Sequence, residues 1–198
     1  MPDPADVVRH YVHDPAQVER VVPEVVEHIA VVEYDARWPA AYAGLEQRIR
    51  AALGHLALDV EHVGSTSVPG LAAKPVIDVD VTVPDPRDEA AYVPALEAAG
   101  LTLLLREPRW HEHRVFRGET PRANVHVWGP HCPEVVRHRL LRDWLRAHPA
   151  DRERYAAAKW AAAEETNAVG GVVMDYNARK EPVVHAILTD VFRAHGLL

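Results

Sequence analysis

The chain has 198 residues, 48% of them hydrophobic and 26% charged, with a formal net charge of -7 and a single cysteine, Cys132. That balance belongs to a globular domain. It excludes a largely disordered chain, an internal disulfide framework and the basic face that sequence-independent binding of duplex DNA requires. No apolar run approaches the about 18 residues of a membrane span, and Met1–Val12 lacks a basic-then-apolar leader, so the expected setting is cytoplasmic with no membrane partner.

Taken in chain order, Pro4–Val26 mixes valine with charges and predicts one or two helices, so residues 1–28 are expected to form a helical appendage to a domain of residues 29–198. Ile29–Tyr34 predicts a short strand. Pro39 in a first helical turn, followed by Tyr42, Leu45, Ile49, Ala52 and Leu53 at helical spacing, predicts a helix to about Leu53. Leu58–Val63 predicts a strand and Gly64–Gly70 a turn-rich loop. Pro75–Val83 is the clearest strand. Val76, Asp78, Asp80 and Thr82 fall on one face, and Ile77, Val79, Val81 and Val83 on the other. Asp88–Ala99 predicts a helix stopped by Gly100, and Leu101–Leu105 a strand. His113–Phe116 and Asn124–Trp128 predict an antiparallel pair. Three helices follow, Glu134–Ala147, Ala150 to about Thr166 and Tyr176–Ala194. The fold class is therefore α+β, a mixed sheet with a C-terminal helical cap.

The chemistry concentrates in Gly64-Ser65 and, twelve residues later, Asp78-Val79-Asp80. Carboxylates at i and i+2 of a strand share a face, roughly 7 Å apart. Two such charges are costly to bury together unless a divalent cation joins them, and Mg²⁺ is held by one or two carboxylates plus substrate phosphates. A Gly-Ser loop offers N–H groups and hydroxyls to a phosphate, here with Thr66 and Ser67 beside it, and Lys74 adds a charge. An Asp-x-Asp pair on its own is also what a solvated strand face looks like. The apolar neighbours Val76, Ile77, Val79 and Val81 argue for a buried strand, where unpaired aspartates are expensive.

The spacing of Gly-Ser and Asp-hydrophobic-Asp resembles the nucleotidyltransferase superfamily of the polymerase-β type. More closely, the run from Glu61 through Gly64-Ser65-Thr66-Ser67-Val68-Pro69-Gly70, Lys74-Pro75 and Asp78-Val79 is similar to the signature of the GrpB family, which also occurs fused to dephospho-CoA kinase. The resemblance continues at Asn124–Trp128, Leu141–Pro149, Tyr155…Lys159 and Tyr176…Lys180, covering about Ala30 to Leu188. It implies a nucleotidyltransferase-like fold and a nucleotide or phosphate site. In that framework Asp78 and Asp80 hold Mg²⁺ or Mn²⁺, and Gly64 and Ser65 cradle the triphosphate of an NTP, neutralised by Lys74 with Lys159 or Lys180. The acceptor is not specified. Superfamily catalysts place a third carboxylate on a neighbouring strand; here His126 stands in that position, as a third metal ligand or a base, with Glu61 and Glu112 as substitute carboxylates.

The chain has three lysines, Lys74, Lys159 and Lys180, against nineteen arginines, and all three fall inside the resembling motifs. Tyr155 and Lys159, like Tyr176 and Lys180, are four residues apart, so each ring and ammonium share a helix face, where a tyrosine can stack on a base while a lysine meets a phosphate. Solvated helix faces give the same spacing. Arg114 is a candidate phosphate contact, although a salt bridge is the ordinary role of such a residue. Two further readings remain open: a non-catalytic nucleotide-binding or chaperone-like module, and a metallohydrolase using His111, His113 and His126.

Overall fold

The computed structural model describes residues 2–11, 14–23 and 26–198. In chain order its elements are α1 (Pro4–Val8), β1 (Glu19–Arg20), α2 (Trp38–Leu53), β2 (Asp59–Val63), β3 (Ile77–Thr82), α3 (Glu89–Ala98), β4 (Leu101–Glu107), β5 (His113–Glu119), β6 (Arg122–Trp128), α4 (Pro133–Ala147), α5 (Pro149–Ala168) and α6 (Val173–Ala194). The strands form one six-stranded sheet in the order β1-β4-β5-β6-β3-β2. Strands β3 and β6 run parallel; every other pairing is antiparallel. The sheet-then-helices α+β arrangement is the one expected.

Two stretches differ from expectation. Among its described residues the leading segment is helical only over Pro4–Val8 and in a single 3-10 turn, Pro15–Gln17, and it closes the sheet edge as β1 instead of standing apart. Val12, His13, Glu24 and Val25 lie outside the described residues. Ile29–Tyr34 is not a strand but contributes one isolated bridge, Val32 to Ala73. The amide of Asn167 satisfies the backbone there, accepting from the N–H of Ile29 (2.9 Å) and donating to its carbonyl (3.0 Å). An apolar run is enough to bury Ile29 and Val31, but without a partner strand it forms no ladder.

Alternation along β3 and β6 decides the layering. Ile77, Val79 and Val81, with Val125 and Val127, are essentially inaccessible and pack with Leu45, Ile49 and Leu53 of α2 and Tyr92 and Leu96 of α3. The intervening residues, Asp78 and Asp80 on β3 and Asn124, His126 and Trp128 on β6, turn to the opposite face. There the C-terminal helices cover the sheet. Pro149 ends α4 and opens α5, and Gly170, at φ +64°, terminates α5.

Candidate phosphate site between sheet and helical cap

Parallel pairing sets Asp78 opposite Asn124 and Asp80 opposite His126. The two aspartates then part company. Asp80 is 2% exposed. Its Oδ1 accepts from the Trp128 indole N–H at 2.9 Å, and its Oδ2 lies 2.8 Å from Nδ1 of His138 on α4. Burial alone would raise the Asp80 carboxyl and lower the His138 imidazole. Their pairing outweighs it in both, holding Asp80 below its ordinary value and lifting His138 to about 9. Asp80 and His138 are thus an ion pair at neutral pH.

Asp78 instead faces a cavity of about 360 Å³. Its Oδ1 accepts from the Asn124 amide at 3.0 Å. Gly64 supplies the opposite wall, and its backbone (φ +66°, ψ -170°) is a conformation essentially confined to glycine. A Cβ at this position would lie 2.4 Å from Asp78 Oδ2. Gly64→Ala is therefore expected to cost about 1–3 kcal/mol in backbone strain and to displace the Asp78 carboxylate. The check is a urea titration paired with ligand binding: stability and binding both unchanged would contradict this close approach.

All three lysines reach the same cavity. Lys159, 1% exposed, donates to the Ala72 carbonyl at 2.6 Å, and its Nζ lies 2.8 Å from Ser65 Oγ. Burial, then the charge of Lys180, pushes its pKa down to about 6; the same causes push Lys74 down to about 8. The lysine side chains pack over aromatic rings of the cap: Lys159 Nζ lies 4.2 Å from the Tyr155 centroid, and Lys74 and Lys180 lie 5.0 and 5.3 Å from that of Tyr176. Across the cavity, His126 Nδ1 meets His113 Nε2 at 3.0 Å, and His113 Nδ1 meets Glu107 Oε2 at 2.8 Å. This chain of three fixes both rings, and burial lowers the pKa of both histidines.

A second cavity of about 750 Å³ opens beside the first. The two share Gly64, Ser65, Asp78, His138, Asn177 and Lys180. Its far wall includes His10 and Tyr11 of the N-terminal segment, which is tied down by Arg137 through 2.8 Å hydrogen bonds to the carbonyls of Val7 and Arg9.

A family model described as "GrpB protein" matches residues 28–190. The chain belongs to the GrpB family. UPF0157 protein BH1888 of Halalkalibacterium halodurans is 53% identical over 131 residues, 66% of this chain and 67% of that one. UPF0157 protein SCO7215 of Streptomyces coelicolor is 43% identical over 165 residues, 83% of this chain and 84% of that one. A protein named dephospho-CoA kinase from Mycolicibacterium paratuberculosis is 33% identical over 181 residues, 78% of this chain but 44% of its own length. Among solved structures, the crystal structure of conserved protein GrpB from Enterococcus faecalis superposes with a TM-score of 0.67 at 28% identity, covering 82% of this chain and 99% of that one.

Within this GrpB-family domain the residues singled out from sequence are distributed unevenly. Gly64, Ser65, Lys74, Asp78, His126, Lys159, Tyr176 and Lys180 line the first cavity, and Tyr155 lines the second. Thr66 and Ser67 do not: both are buried, with their hydroxyls donating to the Val76 and Gly64 carbonyls at 3.2 and 2.6 Å. Arg114 points to the other face of the sheet, where its guanidinium pairs with Glu89 (2.9 Å) and Glu112 (3.2 Å). Tyr155 and Tyr176 are buried beneath the lysines instead of standing open to stack on a base. Asp78, Asp80 and His126 do not form a ready ligand trio, because both oxygens of Asp80 are engaged by Trp128 and His138; the His126 ring is oriented through Nδ1 by His113. His111 sits in a left-handed turn (φ +53°) and lines a different cavity from His113 and His126. Among the described residues no group of three or more His, Cys, Asp or Glu side chains is placed to hold a metal ion. Among the described residues no helix is long and apolar enough to cross a membrane.

Asn124 and His138 are the residues that sequence reasoning missed. Asn124 lies two residues from His126 and so on the same strand face, and its pairing with Asp78 follows once β3 and β6 are aligned in parallel. Nothing local in α4 marks His138 as the partner of an aspartate 58 residues earlier.

Proposed function

We propose that the cavity holds the phosphate chain of a nucleoside triphosphate, and that this GrpB-family domain is a nucleotide-binding unit of the nucleotidyltransferase type. One observation carries the reading: the three lysines of the chain, scattered over more than 100 positions of sequence, converge on a single cavity. Bringing the Lys74 and Lys180 charges together there is costly. With Asp80 neutralised by His138, Asp78 is the one carboxylate of the Asp-x-Asp pair left to offset them, so a bound polyanion relieves the excess. Lys74 and Lys180 are partly exposed and supply the counter-charge, while Lys159 is committed to Ser65 and Ala72.

Asp78 fits a Mg²⁺ or Mn²⁺ ion in the mode where one carboxylate and the substrate phosphates share the coordination; Asp80 does not fit. When bound, such an ion stabilises charge on the phosphate oxygens. His126, held neutral and oriented by His113, is suited to accept a proton from an incoming acceptor hydroxyl. The similarity to part of a protein named dephospho-CoA kinase agrees with a nucleotide-handling setting.

Calorimetric titration of ATP, GTP, CTP and UTP, with Mg²⁺ or Mn²⁺ present, tests the reading. The expected result is binding of at least one nucleotide by wild type, and an affinity loss of about tenfold or more in Asp78→Asn, equivalent to at least ~1.4 kcal/mol, with thermal stability unchanged. No binding of any of the four by wild type would overturn it and leave the non-catalytic partner-binding module as the better account.

A further inference from the structure

The loop Ser65-Thr66-Ser67 presents three hydroxyls, and they are not equivalent. Those of Thr66 and Ser67 are buried and donate to backbone carbonyls. Ser65 is partly exposed, lines both cavities, and places Oγ 2.8 Å from Nζ of Lys159. Lys159 in turn is buried and anchored by its 2.6 Å hydrogen bond to the Ala72 carbonyl, so its position relative to Ser65 is fixed. A hydroxyl at hydrogen-bond distance from a buried amine, at the junction of two cavities, has the form of an activated nucleophile and its base.

We propose that Ser65 is a nucleophile toward phosphorus, with Lys159 as the base that takes its proton. The substrate class follows from the functional reading above, on which this part rests: a nucleoside triphosphate with its phosphates among Lys74, Lys180 and Asp78. In the step, Ser65 Oγ forms a bond to the α-phosphorus, the bridging Pα–O bond breaks, pyrophosphate leaves, and the hydroxyl proton passes to Lys159 Nζ. The product is a phosphodiester on Ser65 and an ammonium on Lys159. No oxidant or reductant is required.

The charged and titratable groups acting on Lys159 from the surrounding elements are Lys180 on α6, Asp78 on β3 and, on its own helix, Tyr155. Burial and the Lys180 charge leave the amine unprotonated above about pH 6, with a lone pair available to the hydroxyl.

The test uses a small fluorophosphonate, diisopropyl fluorophosphate, on the full chain. This reagent reacts with an activated hydroxyl by loss of fluoride and needs no nucleotide site. Intact mass and peptide mapping are expected to show one adduct, on Ser65, with a rate that rises through about pH 6. Ser65→Ala removes the adduct, and Lys159→Met slows it by about 10²–10⁴-fold, with folding of both checked by circular dichroism. The wild-type pH profile requires no variant and stands if Lys159→Met does not fold. Incubation with the nucleotide identified by calorimetry is then expected to yield the nucleoside monophosphate adduct on the same serine.

Ser65 left unmodified in a protein that binds nucleotide would overturn the nucleophile while sparing the binding site. Equal labelling rates in wild type and folded Lys159→Met would overturn the base. Labelling of Ser65 in a protein that binds none of the four nucleotides would support the pair and reject the nucleotide reading instead.

Discussion

Replacing Asp80 with alanine is expected to destabilise the protein by about 3–5 kcal/mol, the cost of removing one partner from a buried ion pair. The same change at Asp78 is expected to have little effect on folding. The difference comes from their surroundings. Asp80 is buried between the Trp128 indole N–H and the His138 imidazolium, so its removal takes away the partner that keeps His138 charged and leaves the indole N–H without its acceptor. Asp78 faces the cavity and has one side-chain hydrogen bond, from Asn124. Urea denaturation of Asp80→Ala, His138→Ala and the double variant checks this. The double variant should be less destabilised than the sum of the single ones, because once Asp80 is gone the imidazolium has no role left to lose. An Asp80→Ala variant as stable as Asp78→Ala would refute the assignment of Asp80 to the framework.

The second large effect is in the pH dependence of stability. The Lys159 pKa is lowered on folding, from 10.5 to about 6. Between those values the unfolded chain binds the extra proton, so this residue makes stability rise with pH, by up to about 1.4 kcal/mol per pH unit. His138 acts in the opposite sense. Its pKa is raised on folding from 6.5 to about 9, so its contribution is fully present below pH 6.5 and is lost as pH rises through 9. Across pH 6.5–8 the two slopes oppose one another, before Lys74, lowered to about 8, adds its own rise. The partial exposure of the His138 ring, by screening the pair, narrows the interval of pH over which its slope acts. Lys159→Met is expected to turn the slope downward in this interval, and His138→Gln to make it steeper upward. Chemical denaturation at pH 6.5 and 8 reads both. Parallel slopes in the two variants and wild type would show that neither group titrates as described.

Much of this was legible in the sequence. Strict alternation over Ile77–Thr82 identified β3 and put both aspartates on one face, and Pro149 and Gly170 marked the breaks between the last helices. Gly64, Ser65 and the three lysines also line one cavity together, while Thr66 and Ser67 of the same loop turn into the interior. What the sequence did not disclose were long-range partners. Period-2 patterning says which face Asp80 occupies, but not that a histidine on α4 will neutralise it. Likewise Arg114 on β5 looks like any cation near a site until its face is known, and the ring-and-ammonium spacing in α5 and α6 gave proximity without revealing that the tyrosines lie beneath the lysines. The leading segment was misjudged because short valine-rich stretches form helix or strand according to what they pack against, and β4 offered an open edge to residues 19–20.

The way Arg137 clasps Val7 and Arg9 has a consequence for how relatives can differ. The family match begins at residue 28, yet His10 and Tyr11, held by that clasp, form part of the second cavity's wall. The charged floor is thus built by residues inside the matched region and one side of its mouth by a segment outside it. Such a rim can be exchanged, lengthened or reshaped without disturbing Gly64, Asp78 or the lysines. The shape of the entrance and the lysine-lined floor are then separately variable parts of one molecule.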